Sequence, residues 1–483
     1  MKQSVLISTL LFAFIHCFSQ IELKSGEVNL GPSWSHNKPI YEVSIERASN
    51  EGTFKGFEKK IPELKKLGVG IIWLQPIHQK GSFKIERAYI DSLGGSFIPV
   101  PEKVREYQKI TSPYNIHDYY SVNPEYGSKN DFKELVNTIH KNRMYVILDF
   151  VINHTSWDHV FIREHPEFYK RNEKGAVMFT SPWRDIAQLD YSKKEVWQYM
   201  DILMNHWIDE YDIDGFRTDV ADRFPPEFWN WIKPRISQKK EIFMLAEGLS
   251  PEVYPSHNMT YDWFLPYAFW SVVHGKRKVD AITKVLEWET NHYPEGYRKL
   301  RHATNHDTQS HGYAWPTMTQ YFDPVFDREW FENVNMNEKF GGGINAFMVL
   351  CATLPNGQPM IWTGQEFGTI YKTPKLVPIG VEKPQKFYNQ LFDLFSNHPA
   401  LIYGDFVTIP CSDDSIYCFT RNYADEKITV LLNISDKKRK IDLNNVNVKR
   451  GTKEYFSQER IEDTLVEMRP FEYYVFVENK SKE

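Results

Sequence analysis

Arg217 and Asp219 stand two residues apart at the end of the short apolar run in IDGFRTD, residues 213–219. In a β-strand, residues i and i+2 point to the same side, so the two side chains would meet where the strand stops. A structural salt bridge would explain the pair, and so would a carboxylate nucleophile kept ionised by a neighbouring cation. Other acids follow apolar runs in the same way: Asp149 in LDFVINH, which also carries Asn153 and His154; Glu247 after IFMLA; Asp307 after Asn305 and His306. Singly, each has a plain reading as an ion pair, a loop acid or a helix cap. Gathered in one cleft, without a His-Glu-Cys metal cluster, two or three carboxylates suit glycosidic bond cleavage. One carboxylate attacks the anomeric carbon, and a second protonates the leaving oxygen and later deprotonates water. The first must stay ionised and the second must hold its proton near neutral pH. Arg217 favours the anion at Asp219, which makes Asp219 the nucleophile candidate. Glu247 has no adjacent cation in sequence and follows an apolar strand, which suits the acid/base.

A fold that brings strand ends together is therefore required. Eight β-like runs lie between residues 40 and 364: IYEVSI, VGIIWLQP, YVILDFVINH, IDGFRTD, EIFMLAE, TYDWF, LRHATNH and PMIWTG. Most are separated by amphipathic helical stretches such as FKGFEKKIPELKKLG (54–68) and DFKELVNTIHKNRM. Repeated strand–helix units predict a parallel sheet with helices outside, and eight of them predict an α/β fold, a (β/α)8 barrel whose active site lies at the C-terminal ends of its strands. The connections 77–113 and 155–190 are long enough to be functional loops or small subdomains. Beyond residue 400, DFVTIP, SIYCFTR, KITVLLNIS, KRKIDL and YYVFVEN predict an antiparallel β-sandwich. The expected organisation is a signal peptide over 1–19, a barrel over 20–154 and 191–397, an inserted subdomain over 155–190, and a C-terminal β-domain over 398–483.

Composition narrows the partners. A formal net charge of −5 provides no basic field for nucleic acid. Aromatic residues make up 15% of the chain, enough for a large core and also for surfaces that stack on sugar rings. The opening MKQSVLISTLLFAFIHCFSQ has one Lys before an apolar run too short to span a membrane comfortably. Cys17 and Ser19 stand at −3 and −1 of a cut before Gln20, so the expectation is a cleaved signal and a secreted or periplasmic protein without a membrane span. The remaining cysteines, Cys351, Cys411 and Cys418, are odd in number and are not a disulfide framework; a bridge between Cys411 and Cys418 stays open.

The motifs together resemble the α-amylase family, the clan of retaining α-glucan-active enzymes (glycoside hydrolase family 13), over essentially the whole mature chain. DFVINH (149–154), GFRTD (215–219), LAEG around Glu247 and TNHD (304–307) resemble its four signatures in order and spacing. GVGIIWLQP (68–76) and GQPMIWTGQEFG (357–368) resemble the segments around strands 2 and 8. SPYNIHDYYSVNPEYG (112–127) resembles the segment that supplies a stacking Tyr. The resemblance implies Asp219 as nucleophile, Glu247 as general acid/base and Asp307 as stabiliser of the distorted transition state. It implies Arg217 orienting Asp219, His154 and His306 bonding sugar hydroxyls, and Tyr114 stacking beneath the sugar. The implied substrate is starch or a maltooligosaccharide cut at α-1,4 bonds, with glycosyl transfer or isomerisation of short oligosaccharides as the alternative. A non-catalytic binding relative fits less well, because all three carboxylates are present. Two departures stand out. Asp222 and Arg223 occupy positions where many members carry Lys-His. Gln188 replaces an acidic calcium ligand, with Asn153 matching another, so bound Ca²⁺ is an open expectation.

Overall fold

The computed structural model of the chain describes residues 30–81, 112–179, 186–307, 340, 342–367 and 382–479. The expected signal segment, most of the 77–113 connection and residues 180–185 of the expected insert lie outside them.

Eight short strands form a closed, all-parallel barrel: β1 (Ile40–Val43), β2 (Ile71–Leu74), β3 (Tyr145–Phe150), β4 (Gly215–Thr218), β5 (Phe243–Ala246), β6 (Met259–Tyr261), β7 (Lys299–His302) and β8 (Gly357–Trp362). Each pairs with its sequence neighbours in the barrel, and β8 closes onto β1 with Ile40 opposite Met360. All eight predicted runs are there, including the TYDWF run, whose strand begins one residue earlier, at Met259.

The period of two sorts the residues. Ile40, Ile71, Ile147, Leu245, Met259, Leu300 and Met360 point inward and fill the barrel floor. Their alternates, among them Tyr41, Ile72, Leu148, Phe216 and Ile361, pack outward in the core shared with the helices. Two residues further along the inward rows, the floor gives way to Glu42, Trp73, Asp149, Arg217, Glu247, His302 and Trp362, all buried. Apolar side chains thus fill the bottom of the barrel, and charged and aromatic ones its mouth.

Some local expectations are corrected. The single helix predicted over 54–68 is two, Phe54–Glu58 and Ile61–Leu67. Pro62 lies in the first turn of the second, where its missing N–H costs nothing, but it cannot continue a helix already under way. Just after Tyr114, Ile116–Val122 pairs antiparallel with His78–Lys80. Within the insert, His154–Ser156 pairs antiparallel with Ile186–Gln188.

At the C-terminus, β9 (Asp405–Thr408), β10 (Ile416–Tyr423), β11 (Glu426–Asn433) and β14 (Tyr473–Asn479) form one antiparallel sheet, and β12 (Arg439–Asp442) pairs with β13 (Leu465–Met468). Strand β13 escapes the sequence pattern because only Met468 of its four residues is buried. Cys351, Cys411 and Cys418 are all free thiols.

Candidate active site

Arg217 is fully buried at the end of β4, at the centre of the mouth. Its Nη1 donates to Asp149 Oδ1 and to Asp219 Oδ1, each at 2.7 Å, and its Nε donates to Tyr261 Oη at 3.1 Å. Its Nη2 lies 2.9 Å from Glu247 Oε2. One guanidinium therefore meets three carboxylates from β3, β4 and β5. Trp73, Tyr261 and Tyr114 wall it at 5.5, 5.7 and 5.8 Å from their ring centres. A planar, always-charged fork suits this task, which a point-charged ammonium could not perform.

The chain turns sharply after Asp219. Val220 adopts φ +44, a left-handed conformation unfavourable for a β-branched residue. The turn aims the Val220 N–H at Glu247 Oε2 (2.8 Å) and the Ala221 N–H at the Glu247 carbonyl (2.9 Å). Local strain is thus used to fix two carboxylates relative to one another. Burial pushes the Glu247 carboxyl above its ordinary value; Arg217 pulls it back, and the charge of Asp219 adds to the rise. Glu247 therefore does have a cation beside it. Sequence adjacency hid this, because the partner comes from the next strand.

His306 Nδ1 lies 2.5 Å from Glu42 Oε1 and its Nε2 lies 2.7 Å from Tyr114 Oη. The Tyr114 hydroxyl donates to Asp149 Oδ2 at 2.8 Å, and its ring stacks on the imidazole with 5.3 Å between centres. Asp307, half-exposed at the mouth, has Oδ1 3.4 Å from His306 Nε2, and its N–H donates to Asn305 Oδ1. Asp219, Glu247, Asp307, Arg217, Tyr114 and His306 thus share one cleft.

The Alpha-amylase family model, described as "Alpha amylase, catalytic domain", matches residues 39–185. The chain is 24% identical to Alpha-amylase 2 of Dictyoglomus thermophilum, covering 86% of this chain and 72% of that protein. It is 24% identical to a cyclomaltodextrinase of Thermoanaerobacter pseudethanolicus, covering 88% and 74%. The fold superposes on a noncanonic maltogenic alpha-amylase from Thermotoga neapolitana with a TM-score of 0.72 at 23% identity, covering 92% of this chain and 99% of that one. Residues 39–185 are thus similar to the α-amylase catalytic domain, and the chain has the fold of the amylases.

Within this α-amylase fold, the other residues singled out in the sequence fall as follows. His154 is buried beside the mouth with Nε2 3.0 Å from the Tyr114 carbonyl and Nδ1 3.3 Å from Asn153 Nδ2. Both ring nitrogens have protein partners, so His154 anchors the Tyr114 segment. Asn153 also accepts the Leu189 N–H through its carbonyl. Gln188, opposite His154 in the insert ribbon, is a neutral amide. Among the described residues no three His, Cys, Asp or Glu side chains gather as a metal site. Calcium favours several hard oxygens, usually with carboxylates among them; Asn153 and Gln188 offer amide oxygens but no carboxylate.

Asp222 accepts N–H bonds from Leu249 (2.6 Å) and Ser250 (3.1 Å), bracing the turn after β4 against the one after β5. The carboxyl is open to solvent on one side and packed against Gly248 on the other, where an added Cβ would lie 2.2 Å from it. Packing into this notch pushes it up to about 6, against the two N–H bonds. Sequence reasoning gave no role to Glu42 or Tyr261 and left Asp149 a strand-end acid. An acid in the inward row of an apolar strand was the one visible signal for Glu42.

Proposed function

We propose that this protein is a retaining α-glucan hydrolase that cleaves α-1,4-glucosidic bonds of starch or maltooligosaccharides. The observation that carries the reading is Arg217, held between Asp149, Asp219 and Glu247 at the barrel mouth. Asp219, in direct contact with the guanidinium, is aimed to attack the anomeric carbon. Glu247, pushed up by burial, donates its proton to the leaving glycosidic oxygen. The covalent β-glycosyl ester on Asp219 is then opened by water that Glu247 deprotonates, restoring the α-configuration. Asp307 bonds ring hydroxyls as the sugar flattens, His306 holds the Tyr114 hydroxyl beside it, and the Tyr114 ring supports the sugar. The N-terminal residues 1–19 direct export and are removed, leaving Gln20 first.

The test is product analysis by proton NMR from the first minutes, on soluble starch and on maltoheptaose. New reducing ends in the α-configuration are expected. A β-configured first product would overturn double displacement. Longer or isomerised products without a net gain of reducing ends would assign the site to glycosyl transfer.

A further inference from the structure

The bonds around His306 impose a proton count. Tyr114 has a single hydroxyl proton, and it is directed at Asp149. The 2.7 Å contact between Tyr114 Oη and His306 Nε2 therefore requires the imidazole nitrogen to be the donor. On the opposite edge, Nδ1 meets the carboxylate of Glu42 at 2.5 Å, and a carboxylate can only accept. With Asp149 and Glu42 ionised, both nitrogens carry protons; burial raises both carboxyls, Asp149 to about 7 against the pull of Arg217, and Glu42 against the pull of His306. Glu42 is fully buried, and its Oε2 has no partner, so its charge is directed at the imidazole. The position is built into the barrel: Glu42 lies level with Trp73 on β2 and Trp362 on β8, and its carbonyl accepts from the backbone and hydroxyl of Thr363.

We infer that Glu42 is a positioning residue for the hydrolysis: it holds His306 as an imidazolium and fixes its ring, so that a cationic Nε2–H holds the Tyr114 hydroxyl at the mouth. The wider surroundings agree. Trp73 and Trp362 border the ring, Tyr114 covers a face, Arg217 repels a charge there, and His302, held down to about 4 by burial, stays neutral. Asp149 and Glu247 lie near enough to feel it. Burial opposes the charged ring, yet Asp307 and Glu42 overcome it and hold His306 up to about 10. Without Glu42, Asp307 alone opposes burial and Arg217, and the imidazole falls from its raised value.

The inference rests on the glucan-hydrolase reading for its substrate, so its first test needs none. In ¹⁵N-histidine-labelled wild-type protein, the His306 signals, assigned by their loss in His306→Gln, are expected to show two protonated nitrogens at pH 8. A neutral tautomer there would overturn the inference, whatever the enzyme's substrate. The second test is Glu42→Gln against maltoheptaose over pH 5–9. Its kcat/KM relative to wild type is expected to fall about tenfold for each unit of pH above the lowered His306 value, with the two converging in acid. A loss equal at every pH would mark Glu42 as structural only, and a wild-type profile would also overturn the proposal. If Glu42→Gln does not fold, the NMR result decides alone.

Discussion

At the residue scale, chemistry at the mouth is set by which carboxyl keeps its proton. Glu247 must be protonated to serve as acid, and burial raises it despite Arg217. The sign follows: activity is lost as pH rises through the Glu247 value, and the alkaline limb of kcat lies above the ordinary Glu value of about 4.3. Glu247→Gln is expected to lower kcat on maltoheptaose by about 10²- to 10⁴-fold. The loss should be far smaller on an aryl maltoside whose leaving group needs no proton; equal losses on both would remove Glu247 from the acid role. Arg217→Lys keeps the charge but cannot reach Asp149, Asp219 and Glu247 together. It should cost about 10²-fold or more in kcat, and near-wild-type kinetics would mean that charge alone suffices.

At the element scale, what matters is how loops after adjacent strands are locked together. Asp222 joins the turn after β4 to Leu249 and Ser250 after β5, within three residues of Glu247. Asp222→Ala releases that brace, and misplacement of an acid by an ångström can cost up to about 10²-fold. A fall of about 10- to 10²-fold in kcat is expected, with Asp222→Asn closer to wild type because an amide oxygen still accepts one N–H. If KM alone rises in both variants, Asp222 touches the substrate instead. A contrast is Ser128, whose side chain caps the helix Lys129–Lys141 through the Asp131 N–H while Asp131 bonds back to the Ser128 N–H. Ser128→Ala should cost about 1 kcal/mol in denaturant unfolding and leave kcat unchanged.

These two scales explain what the sequence could reveal. Strand ends follow from apolar runs, and a parallel barrel turns strand ends into one surface, so Asp219, Glu247, Asp307 and Arg217 were legible without coordinates. Partnerships across the barrel were not. Glu42 and His306 are 264 positions apart, and nothing in the run IYEVSI names the imidazole it faces. The same limit hid the contact of Glu247 with Arg217 and the engagement of both His154 nitrogens by Tyr114 and Asn153. The His78–Lys80 ribbon was missed because three residues, only one of them buried, leave no alternation to read.

At the scale of the whole molecule, the question is whether barrel and C-terminal sheet unfold together. The sheet is two-faced. Ile416, Cys418, Leu431 and Phe476 pack toward Ile441, Leu443 and Met468, forming a small core of their own. Tyr417, Phe419, Ile428, Val430, Leu432 and Val475 face the other way and join the core of the barrel helices. Arg421, buried on β10, ties the joint: its Nη1 donates to the Thr353 carbonyl of the barrel, its Nη2 to Gly404 and its Nε to Asp405. Removing the guanidinium leaves these carbonyls without that donor, at about 1–3 kcal/mol for a buried unsatisfied group. Arg421→Met is therefore expected to destabilise the protein by about 3 kcal/mol or more while leaving kcat at 25 °C within about twofold, because no atom of the mouth moves. Calorimetry of the wild type should show one transition, and the variant the same single transition at a lower midpoint. Two transitions, with only one shifted, would mean that the shared apolar face does not couple the sheet to the barrel.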